Sequence, residues 1–223
     1  MLKLLEKAQI VLFDFDGLLV NTEDLHFKAY QLMCKHFGYD LTWDFKSFCD
    51  VAHKNSTGIK EKIYLDFPAL QDKDWSYLYD IKKGFYKKLL QEGGIQLMPG
   101  VEKLLQYLQK KGVKRAVVTN SFKEQIDLIK KQIPILESIP LWVTREDYKS
   151  AKPEPDGYLK ALELLEGQGD VAIGFEDTLR GYCALSGAKV EGVVVSEVLS
   201  EEFRDKLSAM GAKMIPSFES FSL

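Results

Sequence analysis

The sequence has few cysteines, no long apolar run and no excess of one charge, and each absence excludes a class of protein. Its three cysteines, Cys34, Cys49 and Cys183, are an odd number without metal-type spacing, which indicates reduced thiols in a reducing compartment. No stretch reaches the ~20 apolar residues of a membrane span. The N-terminal segment MLKLLEKAQI mixes acid and base and does not resemble a secretory signal. We therefore expect a cytoplasmic protein that does not bind a membrane.

The charges are nearly balanced. Thirty Lys and Arg residues face 33 Asp and Glu residues, which gives a formal net charge of -3. A nucleic-acid partner is not expected, because such proteins carry a basic footprint. The 223 residues suffice for one sizeable domain and a smaller one.

The first third of the chain is predicted to be one strand followed by helices only. An apolar run predicts a strand over residues 9–15, because a parallel strand buried on both faces has such a run. Apolar residues at helical spacing then predict four helices. These lie over residues 22–37, 42–51 with Thr42 as N-cap, about 56–63, and 75–90. No convincing strand occurs between residues 20 and 94, so we interpret this block as an inserted helical cap.

From residue 99 onward, strands and helices alternate. This alternation predicts a parallel sheet with helices on both faces, hence an α/β fold. The predicted strands lie over residues 113–119, 141–143, 171–175 and 192–195. The predicted helices lie over residues 101–111, 122–131, 157–166, 181–188 and about 200–210.

Polar residues follow several of the predicted strands. Ligands of parallel sheets bind at the carboxyl ends of the strands, so these residues are expected to converge. Each has a structural alternative: a turn for the Asp-x-Asp pair, an N-cap for Thr119, a solvated loop for Lys152 and a favourable helix start for Glu176 and Asp177. The order of all four segments along the chain favours a site. The first of these segments contributes Asp14 and Asp16. A single residue separates them, so in an extended chain both side chains point to the same side.

This set of residues provides what phosphoryl transfer requires. Asp14 is the predicted nucleophile, which would form an aspartyl phosphate. Asp16 is the predicted acid and base. Glu176 and Asp177 offer oxygen ligands to Mg²⁺. Lys152 and the Thr119 hydroxyl would bind the phosphoryl oxygens.

Four segments resemble motifs of the haloacid dehalogenase superfamily: DFDGLLVNTE, VVTNS, AKPEPDGY and IGFEDTLRG. The resemblance covers nearly the whole chain and is specific to the phosphatases and phosphomutases with an inserted helical cap. It implies a Rossmann-like core over residues 1–20 and 95–223, an α-helical cap over residues 21–94, and dependence on Mg²⁺. It also implies the roles given above for Asp14 and Asp16.

The same resemblance extends the list of site residues. Thr119, Asn120 and Lys152 match the phosphate-binding positions, and Glu176 and Asp177 match the acidic metal motif. The backbone carbonyl of Asp16 would also bind the metal. An Asp at position 16 argues against the dehalogenase and phosphonate-hydrolase branches, which lack it.

Three positions depart from the family pattern. Asn21 stands where Asp is usual, and we expect this to affect turn geometry rather than chemistry. Lys189 replaces a glycine after the helix that follows the acidic motif, so we expect the turn at the end of that helix to differ. Residues 132–149 match the pattern poorly.

The cap is expected to select the substrate. His26 follows the first motif, where relatives have a histidine near the active site; a packed imidazole is the alternative. Lys54, in a polar break formed with His53 and Asn55, would bind a second phosphate or a carboxylate; a solvated lysine is the alternative. The predicted function is a Mg²⁺-dependent phosphatase for a small phosphorylated metabolite, such as a sugar phosphate or phosphoglycolate, acting as a monomer. The alternatives are a phosphomutase of the β-phosphoglucomutase type and a non-catalytic binding protein.

Overall fold

The chain divides into two compact units. A computed structural model describes residues 2–54, 57–167 and 169–221, without the side chains of Leu2 and Lys54. One unit consists of Met1–Asn21 and Gln96–Leu223, and the other is Thr22–Ile95. We call them the sheet unit and the helical unit.

The sheet unit is built around parallel strands. Within the described residues, six strands form one sheet in the order β3-β2-β1-β4-β5-β6, and every neighbouring pair is parallel. This is the Rossmann-type strand order. The strands are β1 Ile10–Phe13, β2 Lys114–Val118, β3 Leu141–Val143, β4 Ala172–Glu176, β5 Glu191–Val195 and β6 Lys213–Ile215. The predicted α/β fold is confirmed.

The helices belong partly to the sheet unit and partly to the helical unit. In the first part of the described chain these are α1 Leu2–Lys7, α2 Glu23–His36, α3 Phe45–Lys54, α4 Gly58–Asp66 and α5 Trp75–Glu92. They are followed by α6 Val101–Lys111, α7 Lys123–Lys130, α8 Asp156–Leu164, α9 Leu179–Gly187 and α10 Glu201–Ala209. Helices α2 to α5 belong to the helical unit. Among the described residues, none of these helices combines the length and apolar character needed to cross a bilayer.

Strand β1 is the centre of the sheet unit. Its four side chains, from Ile10 to Phe13, are fully buried. Burial of such side chains contributes about 1.5–3 kcal/mol each. The Phe13 ring packs against those of Phe175 and Phe218. The end of β1 is therefore held firmly, and Asp14 follows it directly.

The strand order reverses between β1 and β4. From β1 the chain proceeds to β2 and β3 on one side, and from β4 to β5 and β6 on the other. In open α/β sheets, ligands bind outside the carboxyl ends of the strands at such a switch point. Residues that follow β1 and β4 thus lie where a ligand is expected.

The helical unit has its own aromatic core. Tyr30, Met33, Phe48 and Leu78 are buried in one cluster. Helix α3, the second of the helices predicted for the cap, begins three residues later than predicted, at Phe45 rather than near Thr42. The side chain of Asp44 accepts a hydrogen bond from the Ser47 amide at 2.7 Å and so caps this helix.

The predicted polar break after this helix is also corrected. Helix α3 continues to Lys54, so His53 is helical and buried rather than part of a loop. Asn55 lies outside the described residues, as does the side chain of Lys54.

Two departures from the family pattern have clear structural roles. The Asn21 side chain accepts a hydrogen bond from the Gln96 amide at 2.7 Å, and the Asn21 amide donates to the Gln96 carbonyl at 3.0 Å. Both residues belong to the sheet unit, at the points where the chain leaves and re-enters it. Lys189, which follows the C-cap Ala188 of α9, has the left-handed φ of 58° that favours glycine.

Candidate active site

Asp14 and Asp16 lie in a tight turn at the end of β1. The Asp14 amide donates a hydrogen bond to the carbonyl of Phe175 on β4 at 3.0 Å, which continues the pairing of the two strands. Gly17 follows with a φ of 77°, a left-handed conformation that glycine adopts without a steric penalty. Asp14 is buried, whereas Asp16 is partly exposed. The two carboxylates therefore have different environments, as their different predicted roles require.

Lys152 joins the ends of three strands. Its buried ammonium group donates to the carboxylate of Asp14, to Glu176 Oε1 at 2.6 Å and to the carbonyl of Val118 at 2.8 Å. An ammonium group has three N–H donors, and each one has an acceptor here. The alternative of a solvated loop lysine does not hold in this structure.

Three buried carboxylates form an acidic cluster at the same place. One oxygen from each of Asp14, Glu176 and Asp177 can be chosen so that all three lie within 4.8 Å of one another. Tyr158, on α8, donates a hydrogen bond from its hydroxyl to Glu176. Gly181, on α9, leaves room for the same carboxylate, since a Cβ there would lie 1.8 Å from Glu176 Oε2. Several elements thus fix the position of Glu176.

The pKa values of Asp14 and Lys152 reflect their burial and the charges beside them. Burial raises the pKa of Asp14 to about 8, with a further contribution from the neighbouring Glu176, while Lys152 opposes the shift. Burial alone would lower the pKa of Lys152, but Asp14 and Glu176 outweigh it and raise that pKa above its usual value. A cation bound to these oxygens would favour the ionised form of Asp14.

Residues after β2 contact Asp16. Hydroxyl groups of Thr119 and Ser121 donate to Asp16 Oδ2 at 3.3 and 2.6 Å. The Tyr148 hydroxyl donates to the Thr119 carbonyl and lies 2.7 Å from Asn120 Oδ1 as well. The predicted residues at the end of β2 therefore lie beside the turn that follows β1.

Ser121 and the two tyrosines were not identified from the sequence. Ser121 is in the quoted VVTNS segment, two residues after Thr119, and this position alone could have suggested it. Tyr148 and Tyr158 act through contacts with residues far away in the sequence. No local pattern marks such contacts.

His26 belongs to the helical unit and is half-buried in an aromatic environment. Its ring stacks on Tyr86, with centroids 4.0 Å apart and an angle of 8° between the planes. Lys82 Nζ lies 2.6 Å from His26 Nδ1. Burial, with the Lys82 charge, holds the pKa of His26 well below its usual value. His26 is therefore neutral near pH 7, and its Nδ1 accepts a hydrogen bond from Lys82.

The structure thus groups most of the predicted site residues. In the sheet unit, side-chain and backbone contacts, some of them through Tyr148, connect all of these residues: Asp14, Asp16, Thr119, Asn120, Lys152, Glu176 and Asp177. The other two, His26 and Lys54, belong to the helical unit. The protein is therefore an α/β protein with a polar site at the switch point of its Rossmann-type sheet. The site consists of a buried cluster of carboxylates with one lysine, which suits an anionic ligand or a metal.

The comparison with known families identifies the class further. The chain matches the family described as Haloacid dehalogenase-like hydrolase over residues 11–195, and it belongs to that family. A Phosphorylated carbohydrates phosphatase from Thermotoga maritima is 28% identical over 192 residues, which cover 83% of each protein. A Beta-phosphoglucomutase from Mycobacterium tuberculosis is 29% identical over 205 residues, which cover 80% of this chain and 77% of that protein.

A solved structure shares the fold over almost the whole chain. The crystal structure of CbbY from Rhodobacter sphaeroides in complex with phosphate has a TM-score of 0.76 and 24% identity, and covers 96% of both chains. At this identity the similarity concerns the fold. The predicted family, and the prediction of an enzyme of the phosphoric monoester hydrolase class, are confirmed by the family match and the related proteins.

Proposed function

We propose that the protein is a Mg²⁺-dependent phosphatase that hydrolyses a small phosphorylated sugar or a similar metabolite through an aspartyl phosphate on Asp14. The observation that carries this proposal is the position of Asp14. Its carboxylate is buried at the switch point of the sheet, bonded to Lys152 and beside the carboxylates of Glu176 and Asp177. Support for the sugar comes from the relative named Phosphorylated carbohydrates phosphatase.

Asp14 provides the nucleophile in this proposal. One of its oxygens attacks phosphorus, and the bond to the substrate's leaving oxygen breaks. The attack requires that the repulsion between two anions be reduced. Lys152 supplies one positive charge at the Asp14 carboxylate.

Asp16 moves the proton. It protonates the leaving oxygen as the first ester bond breaks, and then accepts a proton from the water that hydrolyses the aspartyl phosphate. The hydroxyls of Thr119 and Ser121, which donate to Asp16 Oδ2, support this role because they orient the carboxyl group. Its partial exposure gives it access to water.

The acidic cluster fits Mg²⁺. Its carboxylate oxygens are the hard ligands that this ion prefers. Burial, with a contribution from Glu176, raises the pKa of Asp14, and a bound cation would favour its ionised form. We assign the metal to Asp14, Glu176, Asp177 and the backbone carbonyl of Asp16. When bound, the ion supplies positive charge to the phosphoryl oxygens.

The other predicted residues are proposed to bind the substrate. Thr119, Asn120 and Lys152 are proposed to bind the phosphoryl group, with Tyr148 holding Asn120 in place.

Residues 1–20 and 95–223 are proposed as the catalytic domain. Residues 21–94 are proposed as a cap that selects the substrate through His26 and Lys54. We propose that the protein acts as a cytoplasmic monomer.

The proposal is tested by phosphate release from an aryl phosphate and a panel of sugar phosphates, with and without Mg²⁺. Asp14→Asn should reduce the rate at least about 1,000-fold, because the nucleophile is lost. Asp170→Asn, which changes a carboxylate at a salt bridge with Lys114 away from this cluster, is the control and should retain activity. A folded wild-type protein that is inactive on the whole panel would favour a binding protein.

A phosphomutase is the second candidate, since a relative is named Beta-phosphoglucomutase. In that case the aspartyl phosphate would pass to another hydroxyl of the substrate instead of water. Incubation with β-glucose 1-phosphate and a bisphosphate primer distinguishes the two reactions. Isomerised product supports the mutase, and free phosphate alone supports the phosphatase.

A further inference from the structure

A second group of potential metal ligands lies in the helical unit. Cys49 and His53 are one turn apart on α3, and Glu23 is in the first turn of α2. The distance from His53 Nε2 to Glu23 Oε1 is 2.5 Å, and that from Cys49 Sγ to Glu23 Oε2 is 3.6 Å. One possible ligand atom from each residue lies within 4.8 Å of the other two.

We propose that Glu23, Cys49 and His53 bind a zinc ion. The spacing of four residues places Cys49 and His53 on the same face of α3. A thiolate, an imidazole and a carboxylate are ligands that zinc accepts, and the sulfur and nitrogen ligands favour it over Mg²⁺. The thiol of Cys49 is not in a disulfide.

The environment of these residues suits a metal site. Cys49 and His53 are buried, while the Glu23 side chain retains 21% exposure and gives the cluster a path to solvent. Three protein ligands leave the fourth tetrahedral position for water. Binding would connect the start of α2 to the end of α3.

Modest movement is needed for binding. Ligand atoms around a tetrahedral zinc lie roughly 3.3–3.8 Å apart, given metal–ligand distances of about 2.0–2.3 Å. The Cys49–Glu23 pair already has such a spacing, whereas His53 and Glu23 must separate by about 1 Å. Cys49 must also lose its proton, so zinc binding would release a proton to solvent.

This site is independent of the proposed phosphatase chemistry. Its ligands lie in the helical unit, whereas the carboxylate cluster lies in the sheet unit. A thiolate ligand also gives it a distinct spectroscopic signature, because the cluster assigned to Mg²⁺ contains oxygen ligands alone. Failure of one proposal therefore leaves the other intact.

The test is a titration of the purified, reduced full chain with Co²⁺ in the presence of excess Mg²⁺. One equivalent should produce a thiolate-to-cobalt charge-transfer band, which zinc then removes by displacement. Cys49→Ser should abolish the band. Cys183→Ser, which changes a half-buried thiol of the sheet unit, should retain it, and so should Asp14→Asn.

Two outcomes would overturn the proposal: no charge-transfer band in the wild type, or a band that persists in Cys49→Ser. If circular dichroism shows that Cys49→Ser does not fold, the zinc affinities of His53→Gln and Glu23→Gln are measured instead. Loss of an outer-shell partner already lowers metal affinity about 10–100-fold, so loss of a ligand should lower it more than about tenfold. Unchanged zinc affinity in both variants would refute the site.

Discussion

Two buried lysines show how differently the two units accommodate a positive charge. Lys152, in the sheet unit, donates to the carboxylates of Asp14 and Glu176. Lys82, in the helical unit, contacts the imidazole of His26, and its Nζ lies 4.8 Å from the centroid of the Tyr86 ring. The first environment contains opposite charges that depend on the lysine for compensation. The second contains polarisable rings that a neutral side chain can also pack against.

The largest effect is expected from Lys152→Met. This change leaves buried carboxylates without their ammonium partner, which costs about 3–5 kcal/mol of the free energy of unfolding. Urea unfolding measures the loss, which should be smaller at pH 5 than at pH 8 because protonation removes the uncompensated charge. Phosphatase activity should disappear as well.

Lys82→Met provides the matched comparison in the helical unit. Methionine retains most of the apolar volume, so the loss should be smaller, about 1.5–3 kcal/mol, the scale of one hydrogen bond to a charged group. The pKa of His26 should rise, since a nearby positive charge is removed. Nuclear magnetic resonance titration of the imidazole measures this. Equal destabilisation by both lysine variants would contradict the comparison.

Gly181→Ala is the next change in expected size. A Cβ at this position would lie 1.8 Å from Glu176 Oε2, and the buried carboxylate would have to move. Overpacking of this kind costs about 1–3 kcal/mol. We expect the Mg²⁺ concentration needed for half-maximal activity to rise. Gly187→Ala, on the same helix, is the control for the Mg²⁺ requirement. Its Cβ would meet the Pro155 side chain at 3.2 Å instead of a carboxylate.

The pH dependence of stability should have opposite signs in the two units. The pKa of Asp14 is raised to about 8, so between pH 4 and 8 the folded state holds a proton that the unfolded state has lost. Its contribution to stability therefore falls as pH rises through this window. The pKa of His26 is lowered, so below pH 6.5 the unfolded state takes up a proton first. Its contribution falls as pH decreases.

Chemical denaturation in EDTA between pH 4 and 8 tests these signs. Asp14→Asn should remove the loss of stability that occurs as the pH rises. His26→Gln should reduce the loss of stability that occurs as the pH falls. The slope from one such group is at most about 1.4 kcal/mol per pH unit. Identical profiles for wild type and both variants would contradict the assigned pKa directions.

The smallest effect is expected from Gly84→Ala in α5. A Cβ there would have nothing within 4 Å, and alanine has the higher helix propensity. The free energy of unfolding should increase by about 0.5–1 kcal/mol, measured by urea denaturation. A loss instead of a gain would show that the helical unit is packed as tightly at this glycine as the sheet unit is at Gly181.

The parts of the fold that could be predicted are those with a local signal. Strand β1 has a continuous apolar run because both of its faces are buried, and Gly112 marks the end of α6 with a left-handed φ of 66°. The edge strand β6 was not predicted, since its sequence, Lys-Met-Ile, is short and has a charged first residue. The start of α3 was misplaced because Asp44, rather than Thr42, provides the cap.

The candidate site shows the same division. Its carboxylates follow apolar strands in quoted motifs, so Asp14 and Glu176 could be identified from the sequence. The contacts of Tyr158 with Glu176 and of Ser121 with Asp16 depend on tertiary folding, which joins residues 18 and 105 positions apart. The cluster of Glu23, Cys49 and His53 has the same origin, although the cysteines alone have no metal-type spacing.

The paired hydrogen bonds between Asn21 and Gln96 have a consequence for how such a protein can change. They join the chain's exit from the sheet unit to its return, so the intervening residues form a loop whose ends are fixed by the sheet unit itself. The entropy of closing a flexible loop grows slowly with its length. Residues 22–95 can therefore be exchanged for a module of another size or shape at a small cost in closure. If residues 21–94 select the substrate as proposed, an exchange at this junction would change the specificity without rebuilding the end of β1.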